Sequence, residues 1–109
     1  TIGVWDSGAV DLDVLTIRLN GEVVESNIVL GSSAHTIGLT LEKGDNIVEF
    51  IGVSAGRSGD LTASLYVEDE DGELITPSEL SLVMPRTNVN NLGFYQGVKP
   101  VRRWVINRG

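Results

Sequence analysis

Apolar and polar residues alternate along most of the chain, and short runs rich in Gly, Asn, Asp and Ser interrupt the alternation. In the segment Val14–Leu19, the residues Leu15, Ile17 and Leu19 share one face of an extended strand. The segment ends at Asn20-Gly21, a pair that tolerates the positive φ angles of a two-residue hairpin turn. This strand and its turn predict the first hairpin of an antiparallel β protein.

Further strands are indicated by the same alternation or by a nearly continuous apolar run. They are Thr1–Trp5, Glu22–Leu30, Thr36–Leu41, Asn46–Ser54, Leu61–Glu68, Glu73–Thr76 and Val101–Asn107. Residues Pro77–Leu80 could open a single helical turn, but Leu80, Leu82 and Met84 fit a strand equally well, and we favour strand or irregular coil. Seven or eight short strands without an ordinary helix predict an all-β fold, a single antiparallel β-sandwich of the Ig-like or jelly-roll-like kind. We assign residues 1–84 to the sandwich body and residues 85–109 to a basic C-terminal segment of the same domain.

The core is expected to consist of apolar residues that share one face of each strand. The predicted set is Leu15, Ile17, Leu19, Ile37, Leu39, Leu41, Ile47, Ile51, Leu65 and Val67. This choice places Phe50 and Tyr66 on the opposite faces of their strands. Trp5 is expected to plug an end of the sandwich, and the place of Trp104 stays open.

Length and composition limit the class of protein. The chain has 109 residues, enough for one domain that folds without a disulfide or a bound metal. It has no cysteine, which excludes disulfides and thiol chemistry. It contains neither an apolar run long enough to span a membrane nor a signal peptide. Because it begins at Thr1 rather than Met, we expect processing or excision from a longer protein.

Charge is distributed unevenly along the chain. All fifteen acidic residues lie in residues 1–79, whereas five of the eight basic residues lie in residues 80–109, and the net charge is -7. An acidic body argues against nucleic acid as a partner, because that affinity depends on neutralising phosphates. The asymmetry predicts that the basic end faces the acidic body of its own chain or of a neighbouring copy.

A loop with three carboxylates precedes the first hairpin. Asp6, Asp11 and Asp13 are candidate metal ligands, and residues 7–9 could add carbonyl or hydroxyl oxygens, which suits calcium. The alternative is that these aspartates only cap turns. Calcium is the one cofactor that the sequence suggests.

Two other polar features favour structural roles. The run Asp69-Glu70-Asp71-Gly72 is interpreted as a solvated hairpin tip that protects a sheet edge from pairing. His35, the only histidine, is interpreted as a surface residue at a strand start, since the sequence shows no triad or other catalytic motif. We therefore expect a protein that is not an enzyme.

The loop and hairpin resemble two groups of bacterial extracellular β-sandwiches. One group comprises poorly characterised secreted modules with a D-x-G-x-x-D-G-D loop before an L-N-G turn; this chain has Leu12 where they carry Gly. Their later strands are similar to Asn46–Phe50 and Gly59–Ala63. The other group comprises calcium-dependent carbohydrate-binding modules that recognise xylan. These modules carry an aspartate-rich loop ahead of an Asn-Gly hairpin, and Asp11–Gly21 resembles this region. The resemblance implies an extracellular β-sandwich and, for the second group, calcium and a glycan.

Two functions follow as hypotheses. The first is a non-catalytic structural module of a cell-surface or virion assembly that self-associates through its C-terminal segment by β-augmentation. Its subunit interface is predicted to comprise Arg86, Phe94, Tyr95, Arg102, Arg103 and Trp104, with Lys99 and Arg108 as further bases. The alternative for this segment is that it folds back as the last strand of its own sandwich. The second function is calcium-assisted carbohydrate binding, with Trp5 or Tyr66 as a stacking ring.

Overall fold

The computed structural model describes residues 1–6, 10–75 and 80–109, and within them all regular structure is β-strand. The strands are β1 Ile2–Trp5, β2 Val14–Leu19, β3 Glu22–Val29, β4 His35–Ile37, β5 Gly44–Ser54, β6 Leu61–Val67, β7 Leu80–Met84 and β8 Val101–Arg108. They form two antiparallel sheets packed together, sheet A in the order β4-β1-β6-β7 and sheet B in the order β3-β2-β5-β8. The predicted β-sandwich is confirmed. The described residues include no helix long and apolar enough to cross a membrane.

The β2–β3 hairpin turns at the predicted residues. Asn20 and Gly21 have φ angles of 51° and 86°, which is the left-handed conformation that a two-residue turn requires. The Asn20 side chain also reaches β5, where its Oδ1 accepts a hydrogen bond from the Ile47 amide at 2.9 Å and its Nδ2 donates to Asn46 Oδ1 at 3.0 Å. The turn therefore helps to fix the position of β2 against β5.

The core lies between the two sheets. Five of the predicted core residues are buried there: Leu15, Ile17, Ile37, Leu65 and Val67. Three more, Leu19, Leu39 and Leu41, are half-buried and pack against its margin. Most of the predicted core is thus in place.

The prediction for β5 is wrong, because its other face points inward. Val48 and Phe50 are buried in the core, whereas Ile47 is 43% exposed and Ile51 is half-buried on the outer side. The physical reason is Glu49, which shares the face of Ile47 and Ile51 and would otherwise lie between the sheets without a charged partner. In the outward orientation its carboxylate lies between two arginines.

Two predicted strands are shorter than expected. In place of the predicted strand Thr36–Leu41, only His35–Ile37 pairs in sheet A. The chain then leaves that sheet to begin β5 in sheet B, so Leu39 and Leu41 pack against the core without pairing. In the predicted strand Glu73–Thr76, the described residues form one isolated bridge, in which Leu74 pairs with Glu68. Residues 76–79 lie outside the described residues, and β7 is a strand as favoured.

The C-terminal strand pairs within its own chain. β8 runs antiparallel to β5 over eight residue pairs, from Gly44 with Arg108 to Ile51 with Val101. It is an edge strand of sheet B, and its inward residue Ile106 is buried in the core. The segment therefore supplies the last strand of its own sandwich.

Candidate cation site

Three aspartates meet where the two sheets come together at one end of the sandwich. Asp6 directly follows β1 of sheet A, and Asp11 and Asp13 precede β2 of sheet B. One carboxylate oxygen from each lies within 4.8 Å of the others. The structure therefore brings together the three residues that the sequence singles out. Residues 7–9, also predicted to contribute oxygens, lie outside the described residues.

Hydrogen bonds from three other segments fix this loop. The Arg57 amide donates to the Asp11 carbonyl at 2.9 Å, and the Leu30 amide donates to the Asp13 carbonyl at 2.9 Å. The Thr62 amide donates to Oδ2 of Asp13 at 3.0 Å. The position of the carboxylates is therefore set by tertiary contacts and not by the loop alone.

The Asp13 side chain is the most constrained of the three. It is fully buried, and its Oδ1 accepts no hydrogen bond from the described residues. Burial raises the pKa of Asp13 from 3.8 to about 7, and the neighbouring carboxyl of Asp11 and the charge of Asp6 act in the same direction. The hydrogen bond from the Thr62 amide lowers this pKa but does not offset the increase. A cation between these carboxylates would remove the unfavourable charge repulsion.

The backbone around the cluster is closely packed. A Cβ on Gly56 would lie 2.1 Å from the Asp11 carbonyl oxygen and 2.9 Å from Oδ1 of Asp13, and its φ is +70°, so only glycine fits. Leu12 has φ 69°, a conformation that costs a non-glycine residue about 1–2 kcal/mol.

The donor set suits a hard cation. Calcium takes six to eight oxygen ligands at 2.3–2.6 Å, and three carboxylates supply between three and six of them. Asp6 and Asp13 are buried and Asp11 is half-buried, so an ion held here would lie mostly within the protein. Such an ion would link β1 of one sheet to β2 of the other and would act structurally.

Two residues of the predicted subunit interface stabilise their own chain. Nη1 of Arg86 donates to the carbonyl of Gly56 at 2.9 Å, and at 3.3 Å to those of Ala55 and Gly59. Tyr95 is buried, and its hydroxyl donates to the carbonyl oxygen of Pro85 at 2.9 Å. Arg86 therefore holds the loop that packs on the aspartate cluster, and Tyr95 belongs to the core.

The other basic and aromatic residues of this segment have different environments. Nε of Arg103 donates to Oε2 of Glu49 at 2.9 Å, and Trp104 is half-buried against the core. Phe94 is 42% exposed, and Arg102 is also exposed. The two further bases contact their own chain as well, Lys99 through the carbonyl of Tyr95 and Arg108 through Glu70.

Trp5 and Tyr66 form an aromatic pair on the outer side of sheet A. Because Ile2 and Val4 are fully buried, Gly3 and Trp5 face outward. The ring of Tyr66 covers Gly3, where a Cβ would come within 2.4 Å of it. Its centroid lies 5.9 Å from that of Trp5, at an interplanar angle of 48°. Trp5 therefore packs on this face and does not plug the end of the sandwich.

The two remaining polar features lie at the surface of the chain. Oδ1 of Asp69 accepts hydrogen bonds from the amides of Asp71 and Glu73, both at 2.9 Å, so this aspartate caps its own turn. His35 is exposed at the start of β4, and its ring hydrogen-bonds Glu25 on β3.

Sequence reasoning missed the ion triad on sheet B. Glu49 is buried between Arg18, at 3.1 Å, and Arg103, at 2.9 Å. The only signal was a single acid in the most apolar strand, and its partners on β2 and β8 depend on the sheet order.

No protein-family model, curated protein or solved structure matches the chain.

Proposed function

We propose that the protein is a non-catalytic structural module whose fold is completed by a calcium ion bound to Asp6, Asp11 and Asp13. The observation that carries this proposal is Oδ1 of Asp13, a buried carboxylate oxygen without a hydrogen-bond donor among the described residues, next to two other carboxylates. Groups of this kind are costly to bury unless a cation or a hydrogen bond compensates them. We place the protein in an extracellular, cell-surface or virion setting, where calcium modules bind with Kd values of about 10⁻⁴ to 10⁻³ M.

Thermal unfolding with and without calcium tests the proposal. For a Kd of about 10⁻⁴ M, 2 mM calcium should stabilise the folded state by about 2 kcal/mol, which raises Tm by roughly 5–8 °C. The Asp13→Asn variant should lose this increase, because it removes a charged ligand. The matched control is Asp71→Asn at an exposed turn, which should retain the full increase. An unchanged Tm of the original chain at 10 mM calcium, or an equal increase in Asp13→Asn, would contradict the proposal.

A second candidate function is calcium-assisted glycan binding. It is favoured by the paired rings of Trp5 and Tyr66, which are only partly buried on the outer face of sheet A. Planar rings of this kind can pack on the apolar face of a sugar. Trp5 directly precedes Asp6, so a bound ion would also fix the position of one ring. A glycan array run with calcium tests this, and Tyr66→Ala should remove any binding while Phe94→Ala should not.

Assembly through the C-terminal segment remains part of the proposed function. β8 is an edge strand of eight residues, so its outer edge can accept a further strand. Its arginines and the acidic remainder of the chain are of opposite charge, which would favour contact between copies. Light scattering on the purified chain distinguishes an assembly from a monomer.

A further inference from the structure

A groove of about 570 Å³ lies beside the aspartate cluster, where the ends of β2 and β3 meet the loops that follow β5 and precede β8. Sites for small molecules commonly have volumes of about 300–1,000 Å³ and mostly apolar walls. The walls of this groove carry the apolar side chains of Leu12, Val14, Val29, Leu92 and Phe94. Apart from the half-buried Val14, these side chains are between 42% and 72% exposed. Exposed apolar groups are therefore gathered in one concave place.

The loop that forms one wall of the groove is held in place by hydrogen bonds. Oδ1 of Asn90 accepts hydrogen bonds from the amides of Leu92 at 2.9 Å and Phe94 at 3.0 Å. The carbonyl of Gly93 accepts a hydrogen bond from the Ala55 amide at 2.8 Å, which ties this loop to the one after β5. The exposed Leu92 and Phe94 are thus fixed by the fold before any ligand arrives.

Arg57 is the only charged residue among the described residues that line the groove. Its amide donates to the Asp11 carbonyl at 2.9 Å, which fixes its backbone, but its guanidinium forms no hydrogen bond or ion pair with the described part of the chain. The guanidinium groups of Arg86, Arg103 and Arg108, in contrast, all bind other residues. A planar guanidinium without a partner is complementary to a carboxylate, whose two oxygens it can bind together.

We infer that this groove binds a small carboxylic acid with an apolar body. The apolar walls cover the body of the ligand, and the guanidinium of Arg57 pairs with its carboxylate. An uncharged molecule of the same shape uses the walls alone, and a cationic one is repelled by Arg57. Neither Trp5 nor Tyr66 lines the groove, so the site is separate from the candidate glycan surface.

The aspartate cluster lies next to the groove and affects the binding of an anion. Leu12, which lines the groove, lies between Asp11 and Asp13 in the sequence, and Gly56 both lines the groove and packs against Asp13. Without a cation the carboxylates repel a bound anion, and a calcium ion reduces that repulsion. This step rests on the proposed function, and it predicts an affinity about two- to fivefold higher in calcium.

Titration of the full chain with 4-phenylbutyrate, followed by two-dimensional ¹H–¹⁵N NMR, measures the binding. The matched ligand is 4-phenyl-1-butanol, which has the same apolar body and no charge. For a ligand of this size we expect a Kd of about 0.1–1 mM for the acid in 2 mM calcium. The amide signals of Leu12, Val29 and Leu92 should shift, and the alcohol should bind about three- to fivefold more weakly.

Substitutions separate the two parts of the site. Arg57→Gln should weaken binding of the acid about three- to fivefold and leave that of the alcohol unchanged. The control Arg102→Gln, at an exposed arginine outside the groove, should bind the acid like the original chain. Phe94→Ala should weaken the binding of both ligands, because it removes part of an apolar wall. The NMR spectrum of each variant shows directly whether it is folded.

Three results would overturn the inference. They are an absence of shifts at 10 mM acid, equal binding of the acid by Arg57→Gln and the original chain, and shifts of the groove signals with protein concentration alone, which would mean that a second copy occupies the groove. Binding that depends on Arg57, in a chain whose Tm calcium leaves unchanged, would support the groove and contradict the cation site.

Discussion

Replacing Asp13 with Asn should stabilise the calcium-free chain and remove the stabilisation that calcium gives the original chain. Without a cation, the fold must hold a carboxyl group that is fully buried beside Asp11 and Asp6. Asn has the same shape and no charge, and its carbonyl oxygen can still accept the hydrogen bond from the Thr62 amide. The variant should therefore be more stable than the original chain in a chelator, and calcium should narrow this difference because it stabilises only the original chain.

The magnitude follows from the pKa of Asp13. Its rise from 3.8 to about 7 corresponds to about 4 kcal/mol at neutral pH, since one pKa unit is about 1.36 kcal/mol. Because the folded-state pKa lies above the unfolded one, folding favours the protonated form. The calcium-free chain should therefore lose stability as the pH rises from about 4 to about 7, with little further loss above that range. We expect Asp13→Asn to recover about 2 to 4 kcal/mol at pH 7.5, or roughly 8–16 °C in Tm.

Urea denaturation of both chains, at pH 5 and pH 7.5 and with chelator or calcium, measures these differences. In chelator, the two chains should differ less at pH 5 than at pH 7.5, because Asp13 of the folded original chain is largely protonated at pH 5. The reasoning is refuted if Asp13→Asn is the less stable chain in chelator at pH 7.5. That result would mean that the buried carboxylate is compensated without a cation.

Four further predictions concern the loop, the core and the C-terminal segment. Leu12→Gly should leave the free energy of unfolding unchanged or raise it by up to about 1 kcal/mol, since it relieves a left-handed leucine; a loss above 1 kcal/mol in urea denaturation would contradict this. Gly56→Ala should destabilise the fold and abolish calcium binding measured by calorimetry, whereas Gly31→Ala, with no atom within 4 Å of the added Cβ, should do neither. Asn46→Ala should cost about 3 kcal/mol or more, because the buried amide makes five hydrogen bonds to four surrounding residues, and a small change in urea midpoint would argue against this role. Truncation after Pro85 should give an unfolded product by circular dichroism, since it removes β8; a folded monomer would contradict the intrachain role of this strand.

Local patterns predicted the parts of the fold that depend on neighbours in sequence. The Asn20-Gly21 turn and the alternation of Val14–Leu19 were sufficient for the first hairpin, because turn conformation and strand periodicity are short-range properties. The aspartate cluster was also foreseen as a group of residues. The burial of Asp13 was not, because it depends on Leu30 and Thr62, which are distant in the sequence.

The sequence by itself determined an antiparallel β-sandwich, most of its core and the three candidate cation ligands. Only the tertiary structure decided which face of β5 points inward, because both of its faces carry apolar residues. The outward orientation of Glu49 depends on Arg18 and Arg103, which flank it only in the folded sheet. It also placed Tyr95 in the core and paired β8 with β5 in the same chain. These outcomes depend on which strands become neighbours, and period-two alternation carries no information about strand order.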